Sequence, residues 1–221
     1  MRGGIPATYW MDAIAGQTEW LDWFDIHYHF KPRYVFDNIR AFEQAVIDSG
    51  GTLKPWLAAE AAMQIEEAGE TSYEERFHAG DMVRKWISGL AAGLQGICTP
   101  IVGAPPDRFF GLYSDRGKRY LSADAYAFLH ALIHPANPPE VLFSPGIAAY
   151  RFTEDRTVDI AWKDALFDTD TTTAPFTPVI PPEYAGRSGG TLRMHIHDIA
   201  GALQFTEVIE GAPRVLQLAQ E

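Results

Sequence analysis

Apolar and polar positions follow two periods along this chain, and the first stretch to show a clear one is 22–30. There the order Asp-Trp-Phe-Asp-Ile-His-Tyr-His-Phe alternates almost residue by residue, as a strand does when its two faces meet different surroundings. Phe24, Ile26, Tyr28 and Phe30 fall on one face, and Asp25, His27 and His29 on the other. After the turn Lys31-Pro32-Arg33 the period lengthens. Val35, Ile39, Phe42, Val46 and Ile47 recur at i, i+4, i+7, i+11 and i+12, which is one stripe of an α-helix. Ser49-Gly50-Gly51 stops it with residues that tolerate a left-handed cap. Residues 54–59 then read as a second strand, closed by Glu60. Strand, helix and strand make the repeating unit of a parallel α/β fold.

The same alternation of elements continues. A helix-like stretch over 8–17 precedes the first strand, and 64–72 is a polar, Glu-rich loop. Ser72 and Glu75 have capping-box spacing. They open a helix whose apolar face is Phe77, Met82, Val83, Trp86, Ile87 and Leu90. A third apolar run covers 94–102, a short strand is expected over 109–113, and a last helix starts near Ser122 with Tyr126, Leu129, Leu132 and Ile133 on one side. At His134-Pro135-Ala136-Asn137-Pro138-Pro139 the pattern changes. Short alternating runs follow at 149–152, 157–162, 192–197, 203–209 and 215–218, separated by turn signals and by a Thr/Pro-rich loop over 169–182. That is the pattern of a small antiparallel β-sandwich. The boundary is placed near Pro138, giving an α/β unit over 1–137 and an all-β unit over 138–221.

Composition narrows the chemistry. Apolar residues make up 47% of the 221, enough for a core. The net charge of −11 argues against nucleic acid as a partner. No stretch is long and apolar enough to span a bilayer, so no membrane partner is expected. Cys98 is the only cysteine, which removes disulfide frameworks and thiolate metal clusters, and its apolar setting reads as a buried small side chain. There is no Gly-rich phosphate loop and no Gly-x-Ser-x-Gly elbow.

The candidate chemistry lies at strand ends. In α/β barrels functional groups collect at the carboxyl edge of the strands, and His27, His29 and Glu60 occupy such ends. Ionisable groups in a row on an interior strand face are costly to bury without partners. One reading makes His27 and His29 hydrogen-bonded interior residues and Glu60 a surface carboxylate after a strand. Another makes them a divalent-metal site of two histidines and a carboxylate. His195-Ile196-His197 is a second His-x-His, read as an exposed strand face, and Trp162 is read as sandwich core rather than as a sugar platform.

These residues also carry a resemblance. The order of elements resembles the last three βα units of a retaining glycoside hydrolase of the large (β/α)₈ clan called clan A. Its sixth strand tends to read Asp-x-x-x-His-x-Tyr, which compares with Asp22 or Asp25 through His27 to His29. Its seventh tends to read Lys-Pro-x-x-x-Thr-Glu-x-Gly, which Lys54-Pro55-Trp56-Leu57-Ala58-Ala59-Glu60-Ala61 resembles. Gly111-Leu112-Tyr113-Ser114-Asp115-Arg116-Gly117 is similar to the segment that follows the barrel in those enzymes.

The resemblance implies a partial TIM barrel followed by a β-sandwich and a carbohydrate substrate. It makes Glu60 the catalytic nucleophile and His27 and His29 substrate-binding residues, with no cofactor and no metal. Secretion or a periplasmic location is usual for that family. Some positions depart from its pattern. His29 stands where a tyrosine is common, Ala59 replaces a small hydroxyl residue, and 96–103 lacks a tryptophan. The family's acid/base glutamate follows an asparagine, whereas Asn38 and Asn137 precede Ile39 and Pro138. The resemblance therefore implies a fragment that carries the nucleophile, lacks the acid/base and is inactive alone. A reading of another class makes 140–221 a non-catalytic carbohydrate-binding module.

Overall fold

The computed structural model describes residues 17–28, 32–61, 72–98, 103–104, 111–114, 116–133, 137–142, 146–153, 157–163, 174–176, 192–197, 203–209 and 216–218. Its first half is built from β1 (Phe24–His27), α1 (Val35–Asp48), β2 (Trp56–Glu60), α2 (Ser72–Ala91) and β3 (Leu94–Ile97). The three strands form a parallel sheet in the order β1-β2-β3, each joined to the next through a helix. A single 3₁₀ turn, Pro32–Tyr34, leads into α1. The helix ends where Ser49 N–H donates to the Ala45 carbonyl and Gly50 N–H to the Ile47 carbonyl, with Gly50 turned to φ 74°, a conformation open to glycine at little steric cost. The expected helix over 8–17 lies outside the described residues, as does nearly all of the expected loop over 64–72.

One face of the sheet is closed by α1. Phe24, Phe42 and Trp56 meet pairwise with ring centroids 5.0–5.2 Å apart, an arrangement worth about 1 kcal/mol per pair beyond area burial. The Trp56 indole N–H donates to Glu43 Oε1 at 3.1 Å, so its polar edge is satisfied inside the packing. Val35, Ile39 and Val46 complete the stripe read from the periodicity. Ile47, assigned to that stripe, is instead 53% exposed, and Ala45 takes the buried position. Near the end of α2, Gly89 lets the helix approach β3. A Cβ there would lie 2.6 Å from Ile97 Cδ1 and 2.8 Å from Leu94 Cδ1.

Beyond β3 come β4 (Gly103–Ala104), β5 (Tyr113–Ser114) and α3 (Leu121–Leu132). Strand β3 ends at Ile97, shorter than the run over 94–102 suggested. Glu75, read as the capping-box partner of Ser72, pairs its carboxylate with Lys118. After α3 the chain is strand-rich: β6 (Glu140–Val141), β7 (Ile147–Thr153), β8 (Thr157–Lys163), β9 (Ala174–Phe176), β10 (Leu192–His197), β11 (Leu203–Ile209) and β12 (Leu216–Leu218). Strands β6, β7 and β8 form an antiparallel sheet, β10 pairs with β11, and β9 pairs with β12. Strand β9 therefore falls inside the stretch read as a Thr/Pro loop.

The β6-β7-β8 sheet packs on the helices through Ala148, Tyr150, Phe152 and Trp162 against Ile87, Leu129 and Ile133. Trp162 is buried there, stacked on Tyr150 at 5.1 Å. Across β7 and β8, Arg151 holds Asp159 through two 2.7 Å bonds, the bidentate geometry that suits a guanidinium. The result is a mixed helix and sheet fold whose first half is an α/β unit.

Candidate active site

Because β1, β2 and β3 are parallel, their carboxyl ends reach one edge together. Backbone bonds tie those ends to one another. Tyr28 N–H donates to Glu60 carbonyl at 2.6 Å, Ala61 N–H to Cys98 carbonyl at 2.9 Å, and Cys98 N–H to Ala58 carbonyl at 2.8 Å. His27, Glu60 and Cys98 thus stand on successive strand ends.

Alternation reads Trp56, Ala58 and Glu60 onto one face at the histidine rim, but a regular strand would then put Glu60 on the wrong side. Trp56 and Ala58 are buried against α1, and Glu60 follows them by two-residue steps. An irregularity in the ladder changes this. Asp25 pairs with Leu57 and His27 with Glu60, so β2 carries one more residue than β1 between the two pairs. An inserted residue reverses which side later side chains face. Ala59 N–H donates to Asp25 Oδ1 at 2.8 Å, so the aspartate takes up an amide at the irregularity. Glu60 therefore meets the face of β1 that carries Asp25 and His27.

On that face the His27 ring lies between two carboxylates. Its Nδ1 is 3.5 Å from Glu60 Oε2, and its Nε2 is 3.4 Å from Asp25 Oδ2. Those distances are at the outer limit of hydrogen bonding. The side chains of His27, Asp25 and Glu60 are 57%, 42% and 44% exposed. Water screens such contacts, so they add little to stability; their value is positional. A carboxylate oriented by an imidazole beside open solvent is equipped to act as a nucleophile or a base toward a ligand on that face.

Other expectations fall differently. His29 lies outside the described residues, so its approach to Glu60 is not part of this geometry. Cys98, read as buried, is exposed at the strand-end edge, because β3 stops one residue before it. Among the described residues no group of three or more His, Cys, Asp or Glu is placed to hold a metal ion. His195 and His197 lie on β10, opposite Thr206 and Leu203 of β11.

The opposite face of β1 carries polar chemistry that the sequence reading missed. Tyr28 is fully buried and donates its hydroxyl to Pro32 carbonyl at 2.9 Å. Its phenol also hydrogen-bonds with Ser88, and burial, aided by Asp81 and Tyr150, holds its pKa well above the usual value. Ser88 Oγ is in turn 3.2 Å from the Tyr150 hydroxyl. Beside them Asp81 and Lys85 form a buried ion pair at 2.9 Å. Burial pulls the Lys85 ammonium below its ordinary pKa, while Asp81 opposes the shift. Burial likewise lowers His78 to about 4, with Asp81 opposing and Lys85 adding to the effect. The signal was present: His78, Asp81, Lys85 and Ser88 follow helical spacing, a polar stripe within one helix.

The chain is similar in fold to a family 39 glycoside hydrolase from the gut symbiont Bacteroides cellulosilyticus WH2, with a TM-score of 0.61 and 16% sequence identity. The match covers 96% of this chain and 45% of the other, so the chain spans less than half of that protein's length. No protein-family model matches the sequence, and no curated protein matches it.

Proposed function

We propose that this chain supplies the nucleophile half of a retaining glycoside hydrolase site. In this reading residues 1–137 are the last three βα units of a (β/α)₈ barrel and 138–221 a β-sandwich. The observation that carries it is the placement of Glu60 against His27, at 3.5 Å, on the shared carboxyl edge of parallel strands. The likeness to a glycoside hydrolase fold supports the same reading.

The chemistry follows from the carboxylate. Glu60 attacks the anomeric carbon of a bound glycoside, forming an ester as the bond to the leaving oxygen breaks. A second carboxyl group, about 5 Å from the first, gives that oxygen a proton and later takes one from the water that hydrolyses the ester. His27 orients Glu60, and both His27 and His29 hydrogen-bond hydroxyls of the sugar. Asp25 is already engaged by the Ala59 amide and by His27, so the proton donor comes from strands outside this sheet.

The test is turnover of aryl glycosides by the purified chain, beside its Glu60→Gln variant. No sustained turnover is expected from either, a good phenol leaving group giving at most one equivalent from the native chain as Glu60 is glycosylated. Turnover that Glu60→Gln abolishes would mean that the site is complete within this chain, which contradicts the half-site reading.

A further inference from the structure

One cavity lined by described residues lies away from the carboxylate cluster. It is a half-open space of about 510 Å³ between the start of α1, the end of α2 and the β6-β7-β8 sheet, and none of Asp25, His27 or Glu60 lines it. Its size is that of a small-molecule site. We propose that it binds a small organic monocarboxylate with an apolar body, a function separate from the glycosidase reading.

Three observations converge on that ligand. Phe36 and Ile147 line the cavity and give it an apolar wall against which a hydrocarbon body loses water. Arg33 and Arg40 line it as well, with Asp37 between them in sequence. Two guanidinium groups and one carboxylate leave a single net positive charge, which suits a monoanion. Guanidinium also offers the planar fork that matches a carboxylate. On a chain of net charge −11 a basic cavity is a local exception, so anions are drawn there rather than to the surrounding surface.

Deeper in, the cavity meets Ser88 and Tyr150, both buried, whose hydroxyls contact each other. The hydroxyls of that base already hydrogen-bond each other. The polar end of a ligand is therefore directed outward to the arginines, with the apolar part inward.

The test is an NMR titration of the ¹⁵N-labelled full chain with benzoate, with its neutral isostere benzamide, and with inorganic phosphate. Benzoate is expected to give saturable shifts centred on Phe36, Ser88 and Ile147, with benzamide and phosphate each at least about tenfold weaker. Arg33→Gln combined with Arg40→Gln is expected to weaken benzoate about tenfold, and Asp37→Asn to tighten it several-fold. General damage to the fold would not move the two variants in opposite directions. Equal binding of benzoate and benzamide, or affinity unaltered in the double arginine variant, would overturn the charge argument. Phosphate as tight as benzoate would overturn the apolar wall, and absence of any saturable shift would overturn the site.

Discussion

Acid should destabilise this protein through one buried ring. His78 is 4% exposed, and burial holds its pKa at about 4, against an ordinary histidine value of 6.5. The groups facing it are Asp81, which favours the charged ring, and Lys85, which disfavours it. Because the folded pKa is depressed, the unfolded chain binds the proton more readily between pH 6.5 and 4. Stability from this group is complete above about pH 6.5, falls as the pH drops through the window, and falls no further below about 4. At about 1.4 kcal/mol per pH unit the full loss is about 3 kcal/mol.

The assay is urea unfolding at a series of pH values, for the native chain and for His78→Gln, which removes the titration. The difference in unfolding free energy between the two should be flat above pH 6.5 and shrink by about 3 kcal/mol toward pH 4. Titrating groups that do not interact with His78 cancel in that difference. A difference that is constant across the window, or a His78 resonance titrating near 6.5 in the folded chain, would refute the reasoning.

Two further outcomes follow from the packing and the strand ends. Asp25→Ala should cost about 1 kcal/mol, since the Ala59 amide loses its acceptor at a site water can reach. Faster hydrogen exchange at Ala59 is the signature, and unaltered protection there would count against the latch. Gly89→Val should destabilise by about 1–3 kcal/mol, because its side chain has no room between Leu94 and Ile97. A higher urea midpoint, as helix propensity alone would favour, would show that α2 does not press on β3 as described.

Much of this architecture was legible because burial and period agree. The alternation Phe24, Ile26, Tyr28 against Asp25, His27 reads directly as a strand with one covered face, and the covered residues are those that pack on α1. The helix over 35–48 announced itself through its apolar stripe and glycine stop, and that over 72–91 through its capping-box spacing and apolar face. The side on which Glu60 emerges was not legible from alternation. It depends on an extra residue in β2, and sequence spacing does not encode which strand of a pair carries one. The role of Asp25 was hidden for the same reason: a carboxylate that accepts an amide from the neighbouring strand looks, in sequence, like another polar alternation.

Ile47 and Cys98 were misjudged because an apolar residue at the end of an element has lost its neighbours. The buried stripe of His78, Asp81, Lys85 and Ser88 was passed over because ionisable residues at helical spacing usually mark a solvated face. Here the stripe is buried, with Tyr28, just past β1, beside Asp81 and Ser88, and Tyr150 of β7 against Ser88.

Covalent trapping tests the nucleophile most directly. A 2-deoxy-2-fluoroglycosyl fluoride carries its own good leaving group, so an ester can form without a proton donor. Peptide mapping after incubation with a panel of these sugars should find the glycosyl adduct on Glu60 and none in Glu60→Gln. An adduct on another carboxylate, or one that persists in Glu60→Gln, would contradict the account.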